Sequence, residues 1–168
     1  GLSIPVALKM SSYSSALANL VSRLHWTGKT AGFVLFNRYY RPDIDINSME
    51  LKPAAVFSTP GEIATPLRWL ALLSGMVESD FAGSTGVHDS EGAIKMLLAG
   101  ASAVQVVSTL YQNGAARAAD IIAGLESWMN DHSFDTIDAF KGRLSYERQT
   151  DQSHFERIQF MKHYSGIA

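Results

Sequence analysis

Ala82-Gly83-Ser84-Thr85-Gly86-Val87 and, about twenty residues on, Ala103-Val104-Gln105-Val106-Val107-Ser108-Thr109-Leu110 decide how this chain is read. Between them lies a helix-like stretch, Asp89 to Ala99. Each segment ends a short apolar, β-prone run in small hydroxyl residues, the first also in glycine, which leaves backbone N–H groups and hydroxyls free to hold an anion. Two such ends in consecutive βα units match the phosphate grip that many (β/α)8 barrels place after their last two strands. A phosphorylated cofactor or substrate is the leading expectation.

Working outward, strands alternate with helices. Pro5 to Met10 is a short apolar run, followed by N-cap candidates from Ser11 to Ser15 and a helical pattern carrying Leu17, Leu20, Val21 and Leu24. Gly32 to Asn37 reads as a buried strand, apolar on both faces as in parallel sheets. An insertion, residues 38–59, follows; its Ile44, Ile46, Met49 and Leu51 resemble a hairpin ornament rather than core strands. Pro60-Gly61-Glu62 opens a helix through Leu67, Leu70 and Leu73. The third strand falls somewhere from Val77 to Gly83 and the fourth at Ala103 to Val107, with a long helix at Ala115 to Met129 and two short helices in the tail from Phe134 to Tyr164.

Four βα units make half of a (β/α)8 barrel, and a grip on the third and fourth units places them as its C-terminal half. The fold class is thus α/β, of TIM-barrel type, with residues 1–132 forming the half barrel and 133–168 a helical tail. Alone, such a half leaves apolar edge strands, so a homo-oligomer is expected.

Composition narrows the partners. The 168 residues are 46% hydrophobic and 18% charged, enough for one core, and the formal charge is −2 without a run of like charge. A nucleic-acid footprint or polybasic anchor needs clustered positive charge, which is missing. No apolar run reaches the roughly 18 residues of a membrane helix. Cysteine is absent, which excludes disulfides and thiolate sites within the chain and suits a reducing cytoplasm. The chain reads as soluble and unprocessed. No pair among its five histidines has metal spacing, so no metal is expected.

The segments Pro5-Val6-Ala7-Leu8-Lys9-Met10-Ser11, Phe36-Asn37-Arg38, Ser84-Thr85-Gly86-Val87 and Leu97-Leu98-Ala99-Gly100-Ala101-Ser102-Ala103-Val104-Gln105, with Leu110-Tyr111, resemble the C-terminal half of class 1 dihydroorotate dehydrogenases. The likeness is nearest to a bacterial branch described as dihydroorotate dehydrogenase-like. It runs to about Gly114, and the tail after Trp128 matches that branch only. The resemblance implies an FMN-containing (β/α)8 barrel that oxidises dihydroorotate to orotate in pyrimidine synthesis.

Carried over residue by residue, the resemblance sets Lys9 against the flavin ring, where a fixed cation stabilises negative charge on the reduced isoalloxazine. Without it, Lys9 is a strand-end lysine that either snorkels or needs an anionic partner. Asn37 is the substrate-binding candidate, its amide able to donate and accept toward orotate; as a lone strand-end Asn it reads as a turn former. Thr85, Gly86, Val87, Ser108 and Thr109 supply phosphate donors, and Ser58 and Thr59 join the cofactor-binding set. The family has glycines where this chain has Thr85 and Val107, and glycine permits close approach of phosphate to backbone. No residue here matches the family's catalytic base, Ser11, Ser12, Ser58 and Thr59 included, so the segment alone is expected to lack dehydrogenase activity and to bind FMN weakly.

Other residues carry plainer readings. His88 is either an exposed helix-start residue or a contact to phosphate. Trp26, Trp69 and Trp128 are expected to pack helices against the sheet. Arg38-Tyr39-Tyr40-Arg41 opens the insertion and either covers a ligand or forms a subunit contact. The competing functions are another phosphate-gripping barrel, such as a sugar-phosphate isomerase or synthase, and a non-catalytic half-barrel module.

Overall fold

The computed structural model describes residues 3–39 and 41–155. A four-stranded parallel sheet runs β1 (Ala7–Lys9), β2 (Gly32–Leu35), β5 (Asp80–Ser84), β6 (Ala103–Gln105) in that spatial order. Helices α1 (Leu17–Trp26), α2 (Ala64–Met76) and α3 (Ser90–Ala99) make the crossovers. Spatial order follows chain order, so right-handed crossovers carry every helix to the same face. A doubly wound sheet reverses direction and gains helices on both faces; this one does not. The architecture is the arc of a (β/α)8 barrel.

Register shows the same sidedness. Leu8, Phe33 and Phe81 form one cross-strand row and Leu35, Gly83 and Val104 another. These rows, with Met10, meet Leu17 and Val21 of α1, Leu70 and Leu73 of α2, and Met96 of α3 in the single apolar cluster. The alternate rows are Ala7–Gly32–Asp80 and Lys9–Val34–Ala82–Ala103, with Ser84 opposite Gln105. None of their residues joins the cluster, and they are small or polar apart from Val34. That second face is the barrel-interior face. Edge strands β1 and β6 are largely exposed, whereas β2 is buried throughout.

The third strand is therefore Asp80–Ser84, and the fourth ends at Gln105, two residues short of the expected Val107. Its continuation opens a further helix, α4 (Ser108–Asn113), before α5 (Arg117–Asp131), which packs on α3. Within 38–59, β3 (Pro42–Asp45) and β4 (Glu50–Pro53) form the antiparallel hairpin. The described tail holds 3-10 turns at Ile137–Ala139, Tyr146–Arg148 and Gln152–Phe155 in place of the two expected helices; residues 156–164 of that expectation lie outside the described residues. Phe140 is buried in the tail and packs edge-on against Trp128. Trp69 packs against the core, but Trp26 is 83% exposed and packs no helix onto the sheet.

Local chemistry explains α3. The Asp89 carboxylate accepts the Gly92 N–H at 2.8 Å, an N-cap, and Gly100 closes the helix at φ 115°. Both ends are thus fixed next to the strand ends that bracket them.

Candidate functional site

The carboxyl ends of the strands open into a cleft of about 490 Å³ lined by Lys9, Asn37, Ser58, Gly86, Gln105 and Ser108 among others. Barrel enzymes place their chemistry at this end. Lys9 starts on one edge strand and its Nζ reaches Gln105 Oε1, on the opposite edge strand, at 2.9 Å and Ser84 Oγ at 3.4 Å. Its row continues through Val34, Ala82 and Ala103, and the two alanines leave room for the long stem. Both partners are neutral. Among the described residues no carboxylate pairs with Lys9, so the anionic partner expected of it is not one of their side chains.

At the first strand end, Thr85 and Gly86 both take left-handed backbone, φ 84° and 80°. A Cβ on Gly86 would lie 2.2 Å from the Ile63 nitrogen, so glycine is required there by space as well as by φ. Thr85 pays for its conformation with strain and donates its hydroxyl to Phe36 O at 3.3 Å. The backbone N–H groups of Gly86, Val87 and Ser108 have no protein acceptor among the described residues, and all three residues line the cleft. Unpaired N–H groups at a turn are the kind of donors that anion-binding concavities use.

The second strand end differs. Thr109 is 1% exposed, and its hydroxyl donates to His88 O at 3.1 Å while accepting from Asn113 Nδ2 at 3.0 Å. It braces one strand end against the other and does not line the cleft. Ser108 does. Its Oγ accepts the Ser58 N–H at 2.9 Å and the Ser58 hydroxyl at 3.0 Å, and Ser58 Oγ lies 3.2 Å from His88 Nε2. Thus Ser58, from the insertion, joins His88 and Ser108 from the two strand ends. Thr59 stands outside the cleft; its N–H donates to Glu62 Oε1 at 2.9 Å in a capping box that starts the turn before α2.

The insertion is strapped down by Arg38. Its guanidinium donates to Val56 O at 2.5 Å, Ala55 O at 2.6 Å and Phe57 O at 3.2 Å, and pairs with Glu62 at 3.1 Å. Arg41 adds a second cation 3.3 Å from the same carboxylate. Burial pushes the Glu62 carboxyl up, but hydrogen bonds from Arg38 and the Thr59 N–H, with the charges of Arg38 and Arg41, outweigh it and hold Glu62 below its ordinary value. The strap presents Val56 and Phe57 to the cleft, where Phe57 stacks on Tyr111 at 5.9 Å. Arg38 and Arg41 thus serve the insertion's own fold; Tyr40 lies outside the described residues.

The structure therefore gathers Lys9, Asn37, Ser58, Thr85, Gly86, Val87 and Ser108 around one cleft and leaves Thr59 and Thr109 behind it. Gln105, Ser84, Phe57 and Tyr111 also line it and escape a reading of single motifs. The period-2 relation of Ser84 to Ala82, and of Gln105 to Ala103, is the signal that places both on the Lys9 face. Among the described residues no cluster of three His, Cys, Asp or Glu suits a metal ion, and no helix is long and apolar enough to cross a membrane.

Fold and cleft define the carboxyl end of a barrel arc, with Lys9 and the Gly86–Val87 turn at one opening. No family model matches the chain. Over most of its length it is similar to dihydroorotate dehydrogenase B (NAD(+)) catalytic subunits. That of Thermoplasma acidophilum is 28% identical over 144 residues, 84% of this chain and 47% of the relative. That of Alkaliphilus metalliredigens is 29% identical over 120 residues, 70% of this chain and 39% of the relative. The chloroplastic dihydropyrimidine dehydrogenase (NADP(+)) of Arabidopsis thaliana is 29% identical over 112 residues, 59% of this chain and 26% of the relative. Ligand-free dihydroorotate dehydrogenase from Eimeria tenella superposes with a TM-score of 0.67 at 16% identity, over 81% of this chain and 39% of that one. The chain spans about half, or less, of the length of these relatives.

Proposed function

We propose that this chain forms the C-terminal, flavin-phosphate half of an FMN-dependent, dihydroorotate dehydrogenase-like oxidoreductase of the cytoplasm. The observation that carries the reading is the pairing, in one cleft, of a lysine ammonium held only by neutral groups with the N–H groups of Gly86, Val87 and Ser108. The N–H set suits a phosphate and the cation suits a ring that becomes anionic, so the residues present fit FMN. FMN, when bound, supplies the two-electron acceptor for oxidation of dihydroorotate to orotate. Gly86, Val87 and Ser108 bind its phosphate, Lys9 lies against the ring, and Asn37 meets the substrate. The base that removes the substrate proton comes from the other half of the barrel.

The complete protein carrying this segment is expected to be yellow. There, Lys9→Ala should lower the rate of flavin reduction by dihydroorotate by about 10²-fold, the scale of losing one preorganised charge-stabilising group, while most of the flavin stays bound. Equal losses of rate and flavin would assign Lys9 a structural role, and a colourless complete protein would overturn the reading.

The isolated 168 residues are expected to form a homo-oligomer. Among the described residues nothing pairs with the outer edges of β1 and β6, whose side chains are largely exposed. Light scattering coupled to size exclusion measures this directly, and a monodisperse monomer at micromolar concentration would contradict it.

A further inference from the structure

The Ser58 and Ser108 hydroxyls at the cleft wall and the His88 imidazole beside them have a directional logic. Ser108 Oγ accepts the Ser58 N–H at 2.9 Å, and the Ser58 hydroxyl is 3.0 Å from Ser108 Oγ and 3.2 Å from His88 Nε2. A hydroxyl has one proton to give. When His88 Nε2 carries a proton it donates to Ser58, Ser58 donates to Ser108, and the Ser108 proton is released toward the cleft that Ser108 lines. When His88 Nε2 is bare, Ser58 donates to it, Ser108 turns its proton to Ser58, and the cleft loses a donor. A doubly protonated imidazolium permits only the first arrangement. Ser58 is 7% exposed, so water competes little for these bonds.

The geometry points to His88 as a proton-linked positioning residue for the anion site, making the cleft bind a phosphate or sulfate group more tightly when His88 is charged. This rests on the reading of the cleft as an anion site, but nothing in that reading requires a titrating group. Among the described residues the neighbouring charged groups can be named element by element. Arg117 of α5 donates from Nε to the His88 carbonyl at 3.2 Å and is itself 3.7 Å from Asp120. Asp89 follows in the chain with its carboxylate on the Gly92 N–H. On the cleft side stand Lys9 and, on the insertion, Arg38 with Glu62.

Sulfate is the suitable probe, because its own charge does not change across roughly pH 5–8, where imidazoles titrate. Titrated into the 168-residue chain and followed by the backbone amide signals of Gly86 and Val87, it is expected to bind at least about fivefold more tightly at the acidic end, a modest coupling of two sites. Linkage requires the reciprocal effect: saturating sulfate raises the pH at which the His88 ring signals titrate. His88→Gln removes the titrating ring and Ser58→Ala cuts the link from His88 to Ser108, so each should lose the pH dependence of binding. Ser58→Ala leaves the imidazole intact, and the reciprocal measurement needs no variant, so a misfolded His88→Gln protein does not block the test. Binding of equal strength at both ends, or an undiminished pH dependence in Ser58→Ala, overturns the role of His88 alone. Absence of sulfate binding at every pH overturns the anion site and this inference with it.

Discussion

The two faces of the sheet use interleaved residues of the same strands and answer to different physics. On the helix side, Leu8–Phe33–Phe81 and Leu35–Gly83–Val104 are apolar rows closed under α1, α2 and α3. One residue along each strand lie Lys9–Val34–Ala82–Ala103 and Ser84–Gln105, small or polar apart from Val34, and of these Lys9, Ser84 and Gln105 line the cleft. Because side chains alternate along a strand, a cation can be held 2.9 Å from Gln105 without entering the core. The helix side holds stability, and the opposite side is free to hold a ligand.

The largest expected effect tests that division. Phe81 is 1% exposed and stacks on Phe33 at 5.8 Å. Phe81→Ala should cost about 3–5 kcal/mol of unfolding free energy, as truncation of a buried aromatic does, while Ala82→Ser, one position along on the other face, should cost under about 1 kcal/mol. Urea denaturation of both variants measures the contrast. Similar losses at the two positions would erase the distinction between the faces.

Much of this was legible in the sequence and part was not, for physical reasons. Strand and helix order followed from period and caps: Asp89 and Gly100 bound α3, and Pro60-Gly61-Glu62 starts the run into α2. The β2 strand was plain because both its faces are buried. The end of β6 was not, because Val106 and Val107 are as β-prone as Val104, and what stops the strand is the turn into α4 at Ser108. The Thr85-Gly86 turn is legible as a strand end in glycine and hydroxyl residues, and Lys9 gains its role through family likeness, yet the Lys9 partners Ser84 and Gln105 lie 75 and 96 residues away. Such pairs follow from strand order and register, which a local pattern does not carry. The place of Thr109 behind the cleft is not legible, because a hydroxyl at a strand end looks the same whether it faces a ligand or braces His88 O.

A medium effect concerns the insertion that walls the cleft side. Glu62 holds Arg38 and Arg41, and its carboxyl is depressed. A group whose folded pKa lies below its unfolded value contributes stability that is present above the ordinary glutamate value, about 4.3, and is lost as pH falls through the lower folded value. Glu62→Gln should therefore lose about 1.5–3 kcal/mol at neutral pH, the scale of a charged hydrogen bond, and show a shallower acid dependence than the parent. Denaturation followed from pH 7 down to about 3 checks both. Parallel pH curves for variant and parent would show that the strap does not depend on this carboxylate.

The smallest effect is the most specific, because it separates backbone from side chain at the point where the ligand face begins. Thr85 sits at φ 84°, a conformation costly for a β-branched residue, and its hydroxyl makes one long bond to Phe36 O. Replacement by glycine removes a left-handed penalty of about 1–2 kcal/mol, gives back about 0.5–1 kcal/mol through the freer unfolded chain, and loses the hydroxyl bond, about 1 kcal/mol at most for such a length. The balance for Thr85→Gly is thus within about 1 kcal/mol of zero. Thr85→Ala loses the same bond but keeps the penalty, so it should be the less stable of the two by about 1 kcal/mol, the reverse of the usual order in regular structure. Glycine also lets an anion approach the backbone more closely, so Thr85→Gly alone should tighten sulfate binding. Alanine proving as stable as glycine would mean that the left-handed turn is not what fixes this strand end, and the ligand face would then owe its shape to the Lys9 side of the cleft instead.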